Sequence, residues 1–286
     1  MNITVLVENV ALVDSGLTGE HGLSLLIEHD GHGVLFDAGA SDLVARNAEA
    51  AGLDEALGSV EAIVLSHGHY DHTGGLVAAL RVGHPLGRTR DDAMRVVVRP
   101  DFFHVKVRRD DDLGYIGPPL TRSEFRMQGA SFDEADGPTE ILPDTFVTGE
   151  IEPAVTWEEP GQELGIEQAD GSVVPDPFRE ELALAYRTGR GLVVLVGCAH
   201  RGIVNSVRAA QRAAGDERVV AVLGGAHLRS ASPERIKRTV QELLRLEPEL
   251  VALGHCTGTR AEASMARALG DRFKPLRAGA TFEVRH

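Results

Sequence analysis

The stretch LSHGHYDHTGG at residues 65–75 decides the fold of this 286-residue chain. It follows a short, mostly apolar run at residues 60–65, which is typical of a buried strand, and it precedes apolar residues at helical spacing from Gly75 to Val82. His67, His69, Asp71 and His72 cannot all be packed as neutral core groups, because each needs a polar partner. Imidazole and carboxylate are ligands that suit zinc and similar divalent ions. The stretch therefore predicts a metal site at a strand-to-helix turn, with a solvated polar loop as the alternative.

The composition of the whole chain is that of an ordinary globular protein, with 43% hydrophobic and 25% charged residues. No apolar run approaches the roughly 18–20 residues that cross a bilayer. The opening MNITVLVENV shows a strand pattern without the basic n-region of a signal peptide. Two cysteines do not make a disulfide framework. We therefore expect a cytoplasmic protein without a membrane partner.

The formal net charge of −14 argues against nucleic acid as a partner, because proteins that bind nucleic acids usually carry a basic surface. Lysine occurs only at Lys106, Lys237 and Lys274, so arginine supplies almost all of the positive charge. An acidic, lysine-poor chain fits a high-salt cytoplasm and GC-rich coding equally, and the composition leaves both open. The sequence does not indicate an oligomeric state.

The first hundred residues predict a strand at residues 2–10, a hairpin of two apolar runs at 21–28 and 33–37, and a helix at 41–51. His21, just before the second strand, is a candidate for a place near the metal site. The regular pattern weakens over residues 85–189, which hold most of the prolines. We interpret this segment as strands and long loops that shape the substrate pocket of a single domain covering residues 1–286.

The last hundred residues alternate short apolar runs, at 192–196, 219–223 and 250–253, with amphipathic helical stretches. This alternation predicts βαβ units and largely parallel pairing in an α/β fold. Ser232 and Pro233 predict the start of one helix. Thr259 and Glu262 have the spacing of a capping box for another.

Each of these three strands ends in glycine and is then followed by a histidine: His200, His227 and His255. Because the carboxyl ends of parallel strands gather at one edge of a sheet, the three side chains are expected to converge on the site of His67. Cys198 and Cys256 lie beside two of them. Either cysteine is a metal ligand or, the commoner case, a small buried side chain.

The pattern His-x-His-x-Asp-His resembles the signature of the metallo-β-lactamase superfamily of metal-dependent hydrolases. The resemblance implies a four-layer α/β/β/α sandwich that binds one or two divalent transition-metal ions, zinc first and manganese or iron next. It assigns His67 and His69 to metal one, and Asp71 and His72 to metal two, with Asp71 also catalytic. His200 is the best candidate for an added ligand and His255 for the closing one.

The strand ends depart from the superfamily pattern, because none of them carries the expected bridging aspartate or glutamate. This departure leaves one-metal and two-metal occupancy open. His227 is then a ligand in place of the acid, a catalytic group or a substrate contact.

Six stretches together resemble a narrower family, the 7,8-dihydropterin-6-methyl-4-(β-D-ribofuranosyl)aminobenzene-5'-phosphate synthases. They are HGLS (21–24), LSHGHYDHTGG (65–75), TGEI (148–151), GCAHRGIVN (197–205), GGAHL (224–228) and GHCTG (254–258). The resemblance implies a step of tetrahydromethanopterin biosynthesis in which an arylamine displaces diphosphate from a dihydropterin methyl carbon. A hydrolase of phosphodiesters, lactones or thioesters, and a non-catalytic metal sensor, are the alternatives.

Arginine follows each strand-end histidine closely, at Arg201, Arg229 and Arg260. Guanidinium groups beside a metal favour phosphate or carboxylate. Thr257 opens a helix whose free N–H groups also suit an anion. We therefore predict an anionic, phosphorylated small-molecule substrate bound by Arg201, Arg229 and Thr257, against the alternative that arginine is simply frequent here.

Overall fold

The computed structural model describes residues 1–84, 87, 89, 91–110, 114–216 and 218–284. The strands are β1 (Asn2–Val7), β2 (Ser24–His29), β3 (His32–Phe36), β4 (Ala62–Val64), β5 (Met94–Val98), β6 (Lys106–Arg108), β7 (Ala130–Glu134), β8 (Thr139–Leu142), β9 (Thr145–Val147), β10 (Leu164–Glu167), β11 (Val173–Pro175), β12 (Ala183–Thr188), β13 (Gly191–Val196), β14 (Val219–Gly225), β15 (Leu250–Gly254), β16 (Phe273–Pro275) and β17 (Thr281–Glu283). The helices are α1 (Leu43–Ala50), α2 (Asp54–Gly58), α3 (Tyr70–Thr73), α4 (Leu76–Arg81), α5 (Arg122–Met127), α6 (Ile203–Ala214), α7 (Pro233–Leu246) and α8 (Thr259–Leu269), and a 3-10 turn covers Gly270–Arg272.

Two seven-stranded sheets form the centre of the molecule, in the orders β17-β1-β2-β3-β4-β5-β7 and β16-β15-β14-β13-β12-β9-β8. Apolar side chains of both sheets, among them Phe36, Val64 and Leu195, fill the space between them. Helices α1, α2, α4 and α5 cover the outer face of the first sheet, and α6, α7 and α8 cover that of the second. The layers are therefore α/β/β/α, as expected, because each sheet buries one face against its partner and the other against helices.

Strand pairing changes direction within each sheet. The first sheet is antiparallel from β17 to β3 and parallel from β3 to β7, and the second is antiparallel from β8 to β13 and parallel from β13 to β16. The largely parallel pairing predicted for the last hundred residues is confirmed, because β13, β14, β15 and β16 pair in parallel. Short hairpin connections impose antiparallel pairing on three pairs of strands: β2 with β3, β8 with β9, and β12 with β13.

Helix starts were predicted correctly in one of two cases. The Ser232 side chain caps α7 by accepting a hydrogen bond from the Arg235 N–H, with Pro233 at the first turn. The capping box predicted at Thr259 and Glu262 is wrong, because Gly258 precedes α8 and no side chain caps it. Gly258 has φ +81° and its backbone packs against Arg229, so the chain enters α8 through a conformation that favours glycine.

The segment of residues 85–189, whose first residue Pro85 lies outside the described residues, contributes strands to both large sheets. It also builds a separate three-stranded sheet in the order β11-β10-β6. Among the residues that the structure describes, no helix is long and apolar enough to cross a membrane.

Candidate metal centre

Four parallel strand ends deliver the histidines to one place between the two sheets. His67 and His69 follow β4, His200 follows β13, and all three side chains are buried. The His67 Nε2 atom lies 3.0 Å from His69 Nδ1 and 3.2 Å from His200 Nε2. These three imidazoles form the first ligand group.

A second ligand group lies beside the first and consists of Asp71, His72, Cys198 and His255. The Cys198 Sγ atom is 3.3 Å from the Nε2 atoms of both His72 and His255. The Asp71 Oδ2 atom is 3.4 Å from His255 Nε2 and 3.7 Å from His72 Nε2. All four residues are buried.

Asp37, a fully buried carboxylate at the end of β3, orients these rings from behind. Its Oδ2 atom lies 2.6 Å from His72 Nδ1 and accepts a hydrogen bond from Ser66 Oγ at 2.7 Å. Ser66 Oγ is in turn 2.9 Å from His67 Nδ1. Because the Nδ1 atoms of His72 and His67 are engaged in this way, their Nε2 atoms face the ligand groups. Gly197 leaves room for this chain, since a side chain there would collide with Ser66 Oγ.

Two further carboxylates hold the backbone of the strand ends. Glu8 Oε1 accepts the N–H of His255 at 2.6 Å. Glu181 accepts the N–H groups of His200 and Arg201, each at 2.7 Å. Three residues at these strand ends have left-handed φ angles, which side-chain-bearing residues rarely adopt: Ala199 (+55°), His227 (+45°) and His255 (+55°). The strain concentrated here is typical of a functional site.

The charges around the two ligand groups differ. Burial, together with the neighbouring histidines, lowers the pKa values of His67 and His200 well below the usual range, so both are neutral, as ligands must be. Burial also lowers the pKa of His72, but Asp37 and Asp71 outweigh it and raise that pKa to about 9. The second ligand group therefore has a negative potential that favours a cation.

The residues present fit divalent metal ions. In a tetrahedral zinc site with bonds of about 2.0–2.1 Å, two nitrogen ligands are separated by about 3.3 Å. The nitrogen–nitrogen distances of the first group, 3.0 and 3.2 Å, are close to this separation. Three buried imidazoles that direct one nitrogen each toward a common point match the ligand set of a shared cation.

A cavity of about 230 Å³ opens onto both groups. Its wall includes His21, whose Nε2 atom lies 3.2 Å from Asp71 Oδ2 and whose ring stacks on that of His255 at 5.2 Å. Arg108 of β6, Tyr70 and Arg229 also line it. The three-stranded sheet thus forms one wall of the cavity, and the end of β14 forms another.

The residues predicted to bind substrate do not all reach this cavity. Arg229 lines it, and its side chain makes no hydrogen bond or ion pair within the described part of the chain. Arg201 instead donates to the carbonyls of Ile151 and Pro177, and Thr257 is fully buried, with its Oγ1 atom accepting the Ala226 N–H. Arg201 and Thr257 therefore have structural partners in place of a substrate.

His227 lines the cavity beside His200, at a ring distance of 4.2 Å. Its Nε2 atom is 3.9 Å from Glu163 Oε1, and its Nδ1 atom is buried without a hydrogen-bond partner in the described residues. Its ligand atom also groups with those of Cys198 and His200. Both a ligand role and a substrate contact remain compatible with this position.

Sequence reasoning missed Asp37, Glu8, Glu181 and Phe178. Asp37 had a usable signal, because it is a polar residue directly after a buried strand. Phe178, which stacks on His200 at 4.0 Å, lies in the irregular segment and carried no such signal.

The sequence model of the metallo-β-lactamase superfamily matches residues 17–255 of the chain. The chain belongs to this superfamily. The resemblance proposed from the His-x-His-x-Asp-His pattern is thereby confirmed. The crystal structure of Zn²⁺-bound PqqB from Methylobacterium extorquens shares the fold with a TM-score of 0.55 at 12% identity, covering 99% of this chain and all of that one.

Two relatives are much more similar to this superfamily member. The 7,8-dihydropterin-6-methyl-4-(β-D-ribofuranosyl)-aminobenzene-5'-phosphate synthase of Methanocaldococcus jannaschii is 30% identical over 98% of this chain and 95% of its own. The crystal structure of Tm1679, described as a metal-dependent hydrolase of the β-lactamase superfamily, has a TM-score of 0.82 at 30% identity over the whole of both chains.

Proposed function

We propose that this chain is a metal-dependent enzyme that acts on a phosphorylated small molecule by a reaction like that of the dihydropterin–aminobenzene phosphate synthases. An arylamine-type substrate would attack the methyl carbon of a dihydropterin diphosphate, and diphosphate would leave. The similarity to the M. jannaschii synthase along nearly the full length of both chains carries this proposal.

Different residues around the cavity would bind the two metal ions and orient the substrate. His67, His69 and His200 would hold one metal, and Asp71, His72 and His255 a second, with His227 and Cys198 beside them. Metal ions bound there would supply positive charge for the departing diphosphate oxygens. Asp71 also bonds His21 and so fixes the ring that faces the entering substrate.

Arg108 and Arg229 favour a substrate with negative charge away from the ligand groups. Both line the cavity and come from different walls, β6 and the loop after β14. Arg229 lies close enough to His21 to lower the pKa of that histidine, although burial contributes more. A guanidinium group at the wall binds phosphate through paired hydrogen bonds, which matches a phosphorylated arylamine partner.

The decisive experiment supplies the metal-loaded protein with a dihydropterin diphosphate, with and without the ribofuranosylaminobenzene phosphate, and measures diphosphate release. We expect release that depends on the arylamine. Release without it would exclude the synthase reaction. Asp71→Asn should abolish turnover while preserving the fold, and the exposed Asp42→Asn should leave turnover unchanged.

His227→Ala decides the role of His227. Metal content that falls by one equivalent would identify a ligand, and turnover that falls at constant metal content would identify a substrate contact. Arg229→Gln should raise KM for the phosphorylated partner about tenfold or more, because it removes a charge-assisted hydrogen bond. An unchanged KM would place the substrate elsewhere.

Hydrolysis is the second candidate, because Tm1679 matches the whole chain and is described as a metal-dependent hydrolase. Water would then replace the arylamine as the nucleophile. A panel of phosphodiesters, lactones and thioesters tests this reaction in parallel. Turnover only on that panel would favour the hydrolase.

A further inference from the structure

The two cysteines of the chain lie close to the same cavity but face different groups. Cys198 Sγ points at imidazole nitrogens, 3.3 Å from His72 Nε2 and 3.3 Å from His255 Nε2. Cys256 Sγ accepts the N–H of His227 at 3.3 Å and donates to the carbonyl of Cys198 at 3.4 Å, and it also contacts the side chains of these two residues. Among the described residues, Cys198 belongs to two ligand groups and Cys256 to none.

The distances around Cys198 are those of a ligand. In a tetrahedral site with a metal–sulfur bond of about 2.3 Å and a metal–nitrogen bond of about 2.0–2.1 Å, sulfur and nitrogen are separated by about 3.5 Å. Two imidazole nitrogens at 3.3 Å from the sulfur, with Asp71 completing the group, are close to this arrangement. Both imidazoles have their other nitrogen occupied, His72 by Asp37 and His255 by Asn9, so their Nε2 atoms are directed at the sulfur.

Cys198 also lies where the two ligand groups meet. Its sulfur atom groups with His200, which belongs to the first group, and with His72 and His255 of the second. The end of β13 carries no carboxylate, but the Cys198 sulfur there still lies between the two ligand groups. Gly197, directly before it, permits the close approach to Ser66 that brings β13 to this position.

We propose that Cys198 is a thiolate ligand of the second metal and that this sulfur makes the site select thiophilic ions over manganese and magnesium. This inference rests on the proposed metal-dependent function and adds one residue, Cys198, to the ligands of the second metal. When the bond forms, the thiol loses its proton to solvent and the sulfur lone pair enters the coordination shell. Soft thiolate ligands favour zinc, whereas carboxylate ligands also suit magnesium and manganese.

Cobalt substitution tests the sulfur directly. The metal-free protein is reduced, loaded with Co²⁺ and examined by near-ultraviolet absorption, where a thiolate bound to cobalt gives a charge-transfer band. We expect this band in the unmodified protein and in Cys256→Ser, and its loss in Cys198→Ser. A band that persists in Cys198→Ser, or that disappears in Cys256→Ser, would overturn the assignment.

A second measurement needs no variant. X-ray absorption at the zinc edge of the zinc-loaded protein should show a sulfur neighbour at about 2.3 Å, with one sulfur per protein molecule, which is an average of about one half per zinc ion when both sites are filled. A shell of nitrogen and oxygen alone would refute the thiolate ligand while leaving the metal-dependent enzyme intact. Absence of any bound zinc would instead refute the proposed function itself.

Selectivity is measured by competition, because nitrogen and oxygen sites also prefer zinc to manganese. Equilibrium dialysis against both ions, followed by elemental analysis, gives the ratio bound. Cys198→Asp should lower the zinc-to-manganese ratio about tenfold or more. Replacing a group that only orients a metal ligand already changes metal affinity by about 10–100-fold, and replacing the ligand itself should have at least as large an effect. Cys256→Ser should leave the ratio unchanged, and equal ratios in Cys198→Asp and the unmodified protein would overturn the selectivity.

Discussion

Asp37 connects the two ligand groups through a single carboxylate. It accepts from the Ser66 N–H and Ser66 Oγ and bonds His72 Nδ1. Through Ser66 it also reaches His67, a member of the other group. One buried side chain therefore sets the orientation of an imidazole on each side of the centre.

Asp37→Asn should weaken metal binding about 10–100-fold, because an amide offers one acceptor atom where the carboxylate offers two. Competition with a chelating dye measures the affinity. Asp42→Asn, at the exposed start of α1, is the control and should bind metal normally. Unchanged affinity in Asp37→Asn would show that the rings keep their orientation without it.

Glu158 is a buried carboxylate outside the metal centre. It accepts the N–H groups of Val204 and Asn205 in the first turn of α6. Burial raises its pKa to about 7 even though these two bonds lower it. Because the folded protein holds this proton more tightly than the unfolded chain does, the ionised form is penalised in the fold.

The free energy of unfolding should therefore decrease as the pH rises from about 4.5 to about 7, by up to about 3 kcal/mol from this group, and level off above. Glu158→Gln should remove that part of the slope in denaturant titrations at a series of pH values. Its neighbour Glu159 is exposed, and Glu159→Gln should keep the slope. The same slope in both variants would contradict the assignment.

At the residue scale, the sequence predicted where side chains lie when a polar residue directly follows a recognisable strand. The histidines at the ends of β4, β13, β14 and β15 could be placed because parallel strands end at one edge. Glu8 could not be assigned, since its partner His255 is 247 residues away and only the fold joins them. Cys198 was left open for the same reason, because its neighbours His72 and His255 lie on other strands.

At the scale of elements, buried ion pairs hold the small β11-β10-β6 sheet in place beside the cavity. Lys106 of β6 is buried and forms ion pairs with Asp176, at 3.0 Å, and with Glu180. Phe178, between these two acids, stacks on His200. The cavity wall and the metal centre thus share one ionic anchor, in a segment whose sequence pattern predicted only strands and loops.

Lys106→Met should reduce the free energy of unfolding by about 3–5 kcal/mol, because it leaves two buried carboxylates without their cation. Chemical denaturation measures the loss. Lys237→Met, on the exposed face of α7, should change stability by less than about 0.5 kcal/mol. Equal stability of the two variants would show that water replaces the lysine.

At the scale of the whole molecule, the net charge of −14 acts against compactness. Adding NaCl from low ionic strength to about 1 M should raise the midpoint of thermal unfolding at pH 7, because salt screens this repulsion. Near the sequence pI of about 5.3 the net charge vanishes, and the effect should largely disappear. A midpoint independent of salt at pH 7 would show that local ion pairs dominate.

The layers of the molecule followed from the family resemblance, and the sequence also predicted the parallel pairing of β13, β14 and β15 and the hairpin of β2 and β3. The pairing of strands that lie far apart in the chain, such as β9 with β12, was not predicted, because apolar runs identify strands without specifying their partners. The extra three-stranded sheet arose from strands of three or four residues, too short for a periodic signal.

The first ligand group draws its members from both sheets, and 133 residues separate His67 from His200. At a synthesis rate of about 5–20 residues per second, the ribosome needs roughly 7–27 seconds to make that interval. During this time the nascent chain carries His67 and His69 without their third partner. If the centre binds metal as proposed, its loading would therefore be a late step in the protein's biogenesis, after translation has passed His255.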